Sequence, residues 1–176
     1  MQWQLVLTWL HGLDEDRRHI TLDVDASSFE GYGDQQQLSF CGYHRCHQLH
    51  PLCVFDDETG QLITVIMRPG HAHDAAGATT ILGHLIGMLK VLHRLDCTVC
   101  VRADAGFSRP EMYQRLEDLD ETFGGVSYLI GVAQNSVLRE ALEPSMEPAR
   151  RTCAANGTGA RVFATFEYRA GSWERA

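Results

Sequence analysis

Two aspartates stand where carboxylates can do chemistry. Asp25 closes the run His19-Ile20-Thr21-Leu22-Asp23-Val24-Asp25, and Asp104 follows the run Cys97-Thr98-Val99-Cys100-Val101-Arg102-Ala103. The first run alternates apolar and polar side chains, the pattern of a strand with one buried face, and the second also reads as a strand. If these strands are neighbours, both carboxylates lie at one edge of a sheet. Clefts outside strand ends are where open α/β sheets place their sites. Two carboxylates there can share a pair of Mg²⁺ ions, because Mg²⁺ takes hard oxygen ligands and keeps several waters. Such a pair activates an attacking oxygen and stabilises a leaving one in phosphoryl transfer. Strand-end aspartates also form turns and caps, so spacing alone leaves both readings open.

Other residues invite chemistry with less support. Cys41, His44, Cys46, His47 and His50 crowd together and could hold zinc, but Cys-x4-Cys lacks the usual paired spacing. Packing and surface roles suit them better. Cys97 and Cys100 have redox-motif spacing, yet they fall in a strand run that favours core filling. His71 and His73 precede Asp74 and could touch phosphate or metal, against the plainer reading of a loop with a helix cap. Arg102 lies two residues before Asp104, where a cation would keep the carboxylate ionised, or it is a solvated strand residue. Asn135, Arg139, Arg150 and Arg151 could approach nucleic acid but do not form a basic surface.

The elements that must position these groups follow from the rest of the chain. The 176 residues, 44% hydrophobic and 22% charged, suit one soluble core. No apolar run approaches the roughly 20 residues that span a membrane. Residues 1–18 begin apolar but lack a basic start and a cleavage site, and read as a segment packing on the core. The six cysteines do not suggest a disulfide framework, which favours the cytoplasm. The net charge of −8 argues against a wholly DNA-binding surface but suits a carboxylate centre. After the strand at 19–25, residues 26–37 read as a loop. Strands at 49–55 and 62–67 flank the turn Asp56-Asp57-Glu58-Thr59-Gly60, a hairpin. Asp74 is placed to cap a helix reaching about His93, with Ile81, Leu82, Leu85, Ile86, Leu89 and Leu92 as its buried stripe. Strand 97–103 follows, then a helix from Pro110 to about Leu119 and a strand over 126–132. A short helix over 136–143, a loop over 144–160 and a strand over 161–168 complete the reading. The fold class is mixed α/β: an antiparallel three-strand meander followed by βαβ units, the order of ribonuclease H-like folds.

Four segments carry a resemblance. They are Leu22-Asp23-Val24-Asp25-Ala26-Ser27, the stretch from Gly60 through Arg68-Pro69-Gly70-His71-Ala72-His73, the block Val101-Arg102-Ala103-Asp104-Ala105-Gly106-Phe107, and Tyr128-Leu129-Ile130-Gly131-Val132-Ala133-Gln134-Asn135. Together with Tyr168-Arg169-Ala170-Gly171-Ser172-Trp173, they resemble the catalytic domain of bacterial insertion-sequence DDE transposases of the thirteen-eighty family. The resemblance runs from about residue 20 to about residue 173.

It implies a ribonuclease H-like fold and a triad of metal-binding acids using Mg²⁺, or Mn²⁺ in its place. The first acid matches Asp25, in the setting Asp25-Ala26-Ser27, with Asp23 on the same strand face as the alternative. The second matches Asp104. The family's third acid is a glutamate on a helix beyond a strand-rich insertion. Residues 19–143 would then be an incomplete catalytic core and residues 144–176 the start of that insertion. The third acid has no counterpart here, and Glu167 and Glu174 lie in the wrong context. The chain therefore reads as a truncated fragment, inactive alone. The parent protein would cleave and transfer DNA strands at transposon ends. It would act as a homodimer, in the cytoplasm with the nucleoid. Two alternatives stay open: a ribonuclease H-like nuclease or resolvase with its third acid inside this chain, and a non-catalytic zinc-binding or interaction module.

Overall fold

The alternation at the first aspartate holds in the computed structural model, which describes residues 3–93, 96–171 and 173. Its strands are β1 (His19–Ala26), β2 (Phe29–Glu30), β3 (Ser39–Cys41), β4 (Cys46–Leu49), β5 (Leu52–Asp56), β6 (Leu62–Ile66), β7 (Thr98–Ala103) and β8 (Val126–Ile130). Its helices are α1 (Trp3–Gly12), α2 (Ala78–Met88), α3 (Pro110–Phe123) and α4 (Ser136–Asn156). The chain divides between Val132 and Ala133 into two compact units.

In the first unit the main sheet runs β6-β5-β1-β7-β8. β5 is antiparallel to both β1 and β6, while β7 is parallel to both β1 and β8. This is the expected meander followed by βαβ units, the strand order of the ribonuclease H-like fold. Ile20, Leu22 and Val24 of β1 are buried, as are Leu52 and Val54 of β5 and Val99, Val101 and Ala103 of β7. They join Val6, Trp9 and Leu10 of α1, the stripe of α2, and Met112, Leu116 and Leu119 of α3 in one core. The other face of each strand carries the polar groups, Asp23, Asp25 and Arg102 among them.

Several elements differ from expectation. The run read as one strand at 49–55 is broken at His50-Pro51. Its first part belongs to a separate small sheet, β2-β4-β3, which also draws β2 from the presumed loop. Pro51 has no N–H with which to continue a ladder, so a break there is natural. α2 starts at Ala78, after Gly77 in a left-handed conformation (φ 78°), and Asp74 does not cap it. Asp74 is instead hydrogen-bonded to His50.

The end of that helical run widens into a π-turn over Leu89–His93. The extra residue per turn shifts the phase of the stripe. Leu92, expected in the core, is therefore exposed, and Lys90 is buried in its stead. The Lys90 ammonium donates to the carbonyls of Cys97 and Gly124. α3 continues to Phe123 because its apolar spacing persists past Leu119. β8 stops at Ile130 rather than at residue 132.

In the second unit, the expected short helix and loop are one helix of 21 residues. α4 opens on Asn135, whose side chain accepts from the Leu138 N–H at 2.9 Å, and ends at Gly157 with φ 65°. Pro144 and Pro148 lie inside it and remove two backbone donors. Residues 161–168 form no strand. No helix among the described residues is long and apolar enough to cross a membrane.

One buried ion pair fastens the start of β1 to the meander. The Asp56 carboxylate, wholly shielded from solvent, accepts from Arg17 at 2.5 and 2.6 Å and from the Trp9 indole at 2.8 Å. Burial alone would raise its pKa. The Arg17 and Trp9 hydrogen bonds and the guanidinium charge outweigh that and hold it at about 2. A carboxyl depressed in the folded state adds stability above its unfolded pKa and loses it as pH falls toward the folded value. The contribution is about 2 kcal/mol above roughly pH 4, and it fades between there and about pH 2. Arg17→Met leaves a buried carboxylate without its cation and is expected to lower stability at neutral pH by about 3–5 kcal/mol. Urea unfolding from neutral to acid pH checks this. A wild-type midpoint with an unchanged acid limb would contradict it.

Candidate functional site

The parallel register of β1 with β7 aligns Val24 with Ala103. One step further along each strand stand Asp25 and Asp104. From β1 the chain turns toward β5 and β6, and from β7 toward β8. The two strands thus flank the point where the sheet's winding reverses, and crevices at such points receive ligands at the strands' carboxyl ends.

Local structure sets each carboxylate. Asp25 is exposed and its Oδ2 accepts from the Ser27 hydroxyl at 2.7 Å. Asp104 is exposed and caps a short 3₁₀ turn, Ala105–Phe107, with Oδ1 accepting from the Gly106 N–H at 2.8 Å. Phe107 is fully buried and anchors that turn in the core. Gly131, at the end of β8, lies against the same turn: a Cβ there would come within 3.1 Å of the Ala105 nitrogen. Neither Asp25 nor Asp104 is in an ion pair among the described residues.

Asp23 differs. Arg102 donates to both of its carboxylate oxygens, at 3.0 and 2.7 Å, and to Asp57 at 2.5 Å. The hydrogen bond to Asp23 raises the Arg102 pKa still further. Arg102 therefore serves Asp23 and Asp57, and the sequence reading that set it beside Asp104 assigned it the wrong partner. Cys53 faces Asp25 across the β1–β5 ladder. Burial, with some help from Asp25, pushes its thiol up, so it stays protonated.

A third group of residues lies behind the aspartates. The His50 ring is within hydrogen-bond reach of Ser28 Oγ at 3.0 Å and of Asp74 Oδ1 at 2.8 Å. The buried Arg68 donates to the carbonyls of His50, His73, Asp74 and Ala76. Sequence reasoning missed this set: Arg68 read as a strand stop, Asp74 as a cap and His50 as part of a zinc candidate. A charged residue at the end of an apolar strand, followed by a run rich in His and Asp, was the available signal.

The other candidates are dispersed. Cys41 pairs with Cys46 across the β3–β4 hairpin, His47 packs edge-on to Phe40, and His44 packs on Tyr43. Cys97 is buried while Cys100 is half-buried, and both are free thiols. Among the described residues, no three His, Cys, Asp or Glu side chains gather closely enough to hold one ion. His71 bonds Ser39. His73, Thr79, Arg109, Glu111 and Met112 line a groove of about 250 Å³ beside the first turn of α3. Asn135 caps α4 and donates to the Tyr168 hydroxyl, while Arg150 and Arg151 pair with Glu143 and Glu147.

The whole sequence, residues 1–176, matches the family described as Transposase DDE domain group 1. The chain belongs to that family. No curated protein matches it in sequence. Solved structures similar to it include a piggyBac transposase synaptic complex with hairpin DNA, at TM-score 0.44 and 14% identity over 66% of this chain. A Mos1 mariner paired-end complex with Mn gives 0.39 and 10% over 83%. A Mos1 transposase paired-end complex with the left transposon end gives 0.39 and 16% over 87%. The chain spans 23% of the piggyBac chain and 52% and 53% of the two Mos1 chains.

The Asp104 turn tolerates no side chain at Gly106. A Cβ there would collide with the Asp74 carboxylate and come within 2.9 Å of the Asp74 Cβ. Gly106→Ala is expected to destabilise the fold by about 1–3 kcal/mol through overpacking. An unchanged urea midpoint would show that the contact yields freely.

Proposed function

We propose that this chain is the metal-holding part of a DNA transposase catalytic core, with Asp25 and Asp104 as two of its metal ligands. The observation that carries the reading is their pairing: neighbouring exposed carboxylates at adjacent parallel strand ends, neither engaged by a cation, whereas Asp23 is held by Arg102. Membership of the DDE family agrees with it. Hard oxygen donors carrying two negative charges suit Mg²⁺, or Mn²⁺ in its place. The neighbouring Cys53, protonated, offers no competing thiolate. When bound, the ions supply an activated attacking oxygen and stabilise the leaving oxygen in strand cleavage and transfer.

The protein's part is to hold those ligands. Ser27 orients Asp25 through its hydroxyl, and the 3₁₀ turn orients Asp104 through the Gly106 N–H. Two carboxylates alone make a weak site, so the chain by itself is expected to bind metal loosely and cut DNA poorly. DNA, as transposon ends and target, is the proposed partner. Joining two ends calls for a homodimer of the full protein, and the similar Mos1 and piggyBac structures are paired-end and synaptic complexes. The proposed setting is bacterial, an insertion sequence acting at the nucleoid.

Mn²⁺ titration followed by electron paramagnetic resonance tests the ligands. Asp25→Ala and Asp104→Ala are expected to abolish binding, and Asp23→Ala to preserve it. Binding that survives both of the first two substitutions would overturn the assignment. A nicking assay with Mg²⁺ tests the weak activity; robust cleavage by this chain, lost in Asp104→Ala, would contradict it.

A further inference from the structure

The His50 ring joins the two segments that present the carboxylates. On one side Ser28 bonds its Nδ1, and Ser28 directly follows Ser27, which bonds Asp25. On the other side Nε2 meets Asp74. The second oxygen of Asp74 lies against Gly106 so closely that no methyl group fits between them. Gly106 in turn donates to Asp104. The ring is buried, and its hydrogen-bond roles are fixed by its neighbours. The carboxylate only accepts, so Nε2 donates to Asp74, and Nδ1 of the neutral ring accepts from the Ser28 hydroxyl.

The backbone beneath is fastened as firmly. Arg68 is only 6% exposed. Its Nε donates to the His50 carbonyl at 2.7 Å, and its Nη1 reaches the carbonyls of Asp74 and Ala76 at 2.8 Å. His50 and the Asp74 turn therefore move as one piece. Ligand-supporting groups of this kind set metal affinity without touching the ion.

We propose that His50 is a positioning residue for the Asp25–Asp104 pair, acting through Ser28 on the first and through Asp74 and Gly106 on the second. The inference rests on the metal reading above and adds residues outside the carboxylate set. Its loss loosens the relative placement of the two ligands rather than removing either.

Mn²⁺ affinity of the 176-residue chain, read by electron paramagnetic resonance with circular dichroism to confirm folding, tests it. His50→Ala is expected to weaken binding about 10–100-fold. His50→Gln, whose amide keeps one donor and one acceptor, is expected to restore most of the affinity. Ser28→Ala, at an exposed position, is expected to lower affinity in the same direction by a smaller factor. Folded His50→Ala with wild-type affinity would overturn the proposal. If His50→Ala does not fold, Ser28→Ala with wild-type affinity overturns it, and a loss in Ser28→Ala beside near-normal binding in His50→Gln supports it. The two readings separate on Asp104→Ala. If that variant keeps its Mn²⁺, the metal reading fails and takes this proposal with it. If it loses Mn²⁺ while the Ser28 and His50 variants bind normally, only the positioning role fails.

Discussion

Because β1 pairs in parallel with β7, with Val24 opposite Ala103, the aspartates that follow each of them leave the sheet side by side. Side chains alternate along a strand, so a slip of one residue in that ladder would turn Ile20, Leu22 and Val24 out of the core. Their burial fixes the register. The register in turn fixes which aspartates are neighbours. The chemistry of the site thus depends on apolar residues that never approach it, and Asp25 and Asp104 gain their relation from the hydrophobic face behind them.

Charge is then sorted along the same edge. Arg102 could serve any nearby carboxylate, and it is committed to Asp23 and Asp57. Asp56, one position before Asp57, points into the core and takes Arg17. The two adjacent aspartates of the β5–β6 turn therefore belong to different networks, one buried and one at the surface. What remains without a cation at the strand ends is the pair of aspartates able to accept one. The burial of Arg68 serves a different end: its donors go to main-chain carbonyls, so it fixes backbone rather than balancing charge.

Much of this was legible in the sequence. The period-two alternation around Asp25, the hairpin signal at residues 56–60 and the helical stripe from Ile81 to Leu89 each reflect a local rule, and the structure follows them. The strand order and both aspartates were legible for the same reason, supported by the resemblance of the Val101–Phe107 block. Long-range partners were not legible. Nothing local tells Arg102 to choose Asp23 over Asp104, or Asp74 to bond His50 instead of capping α2. The prolines of α4 misled because Pro144 and Pro148 normally break helices, yet here the helix passes through both. Leu92 misled because a single widened turn changed the phase of the stripe.

That widened turn has an evolutionary side. A π-turn is an α-helix with one residue to spare, and it can arise from a single inserted codon. The insertion rotates everything after Met88, and it brings a lysine inward where the carbonyls of Cys97 and Gly124 need a donor. These carbonyls belong to the residues just before β7 and before the turn into β8. A chain shortened by one codon in this stretch would recover a regular helix and return Leu92 to the apolar side. It would also leave the entrances to both strands without their shared cation. The reading frame of the helix and the anchoring of the strand that leads to Asp104 are thereby linked, and a neutral-looking deletion far from the aspartates would be felt at the root of the sheet.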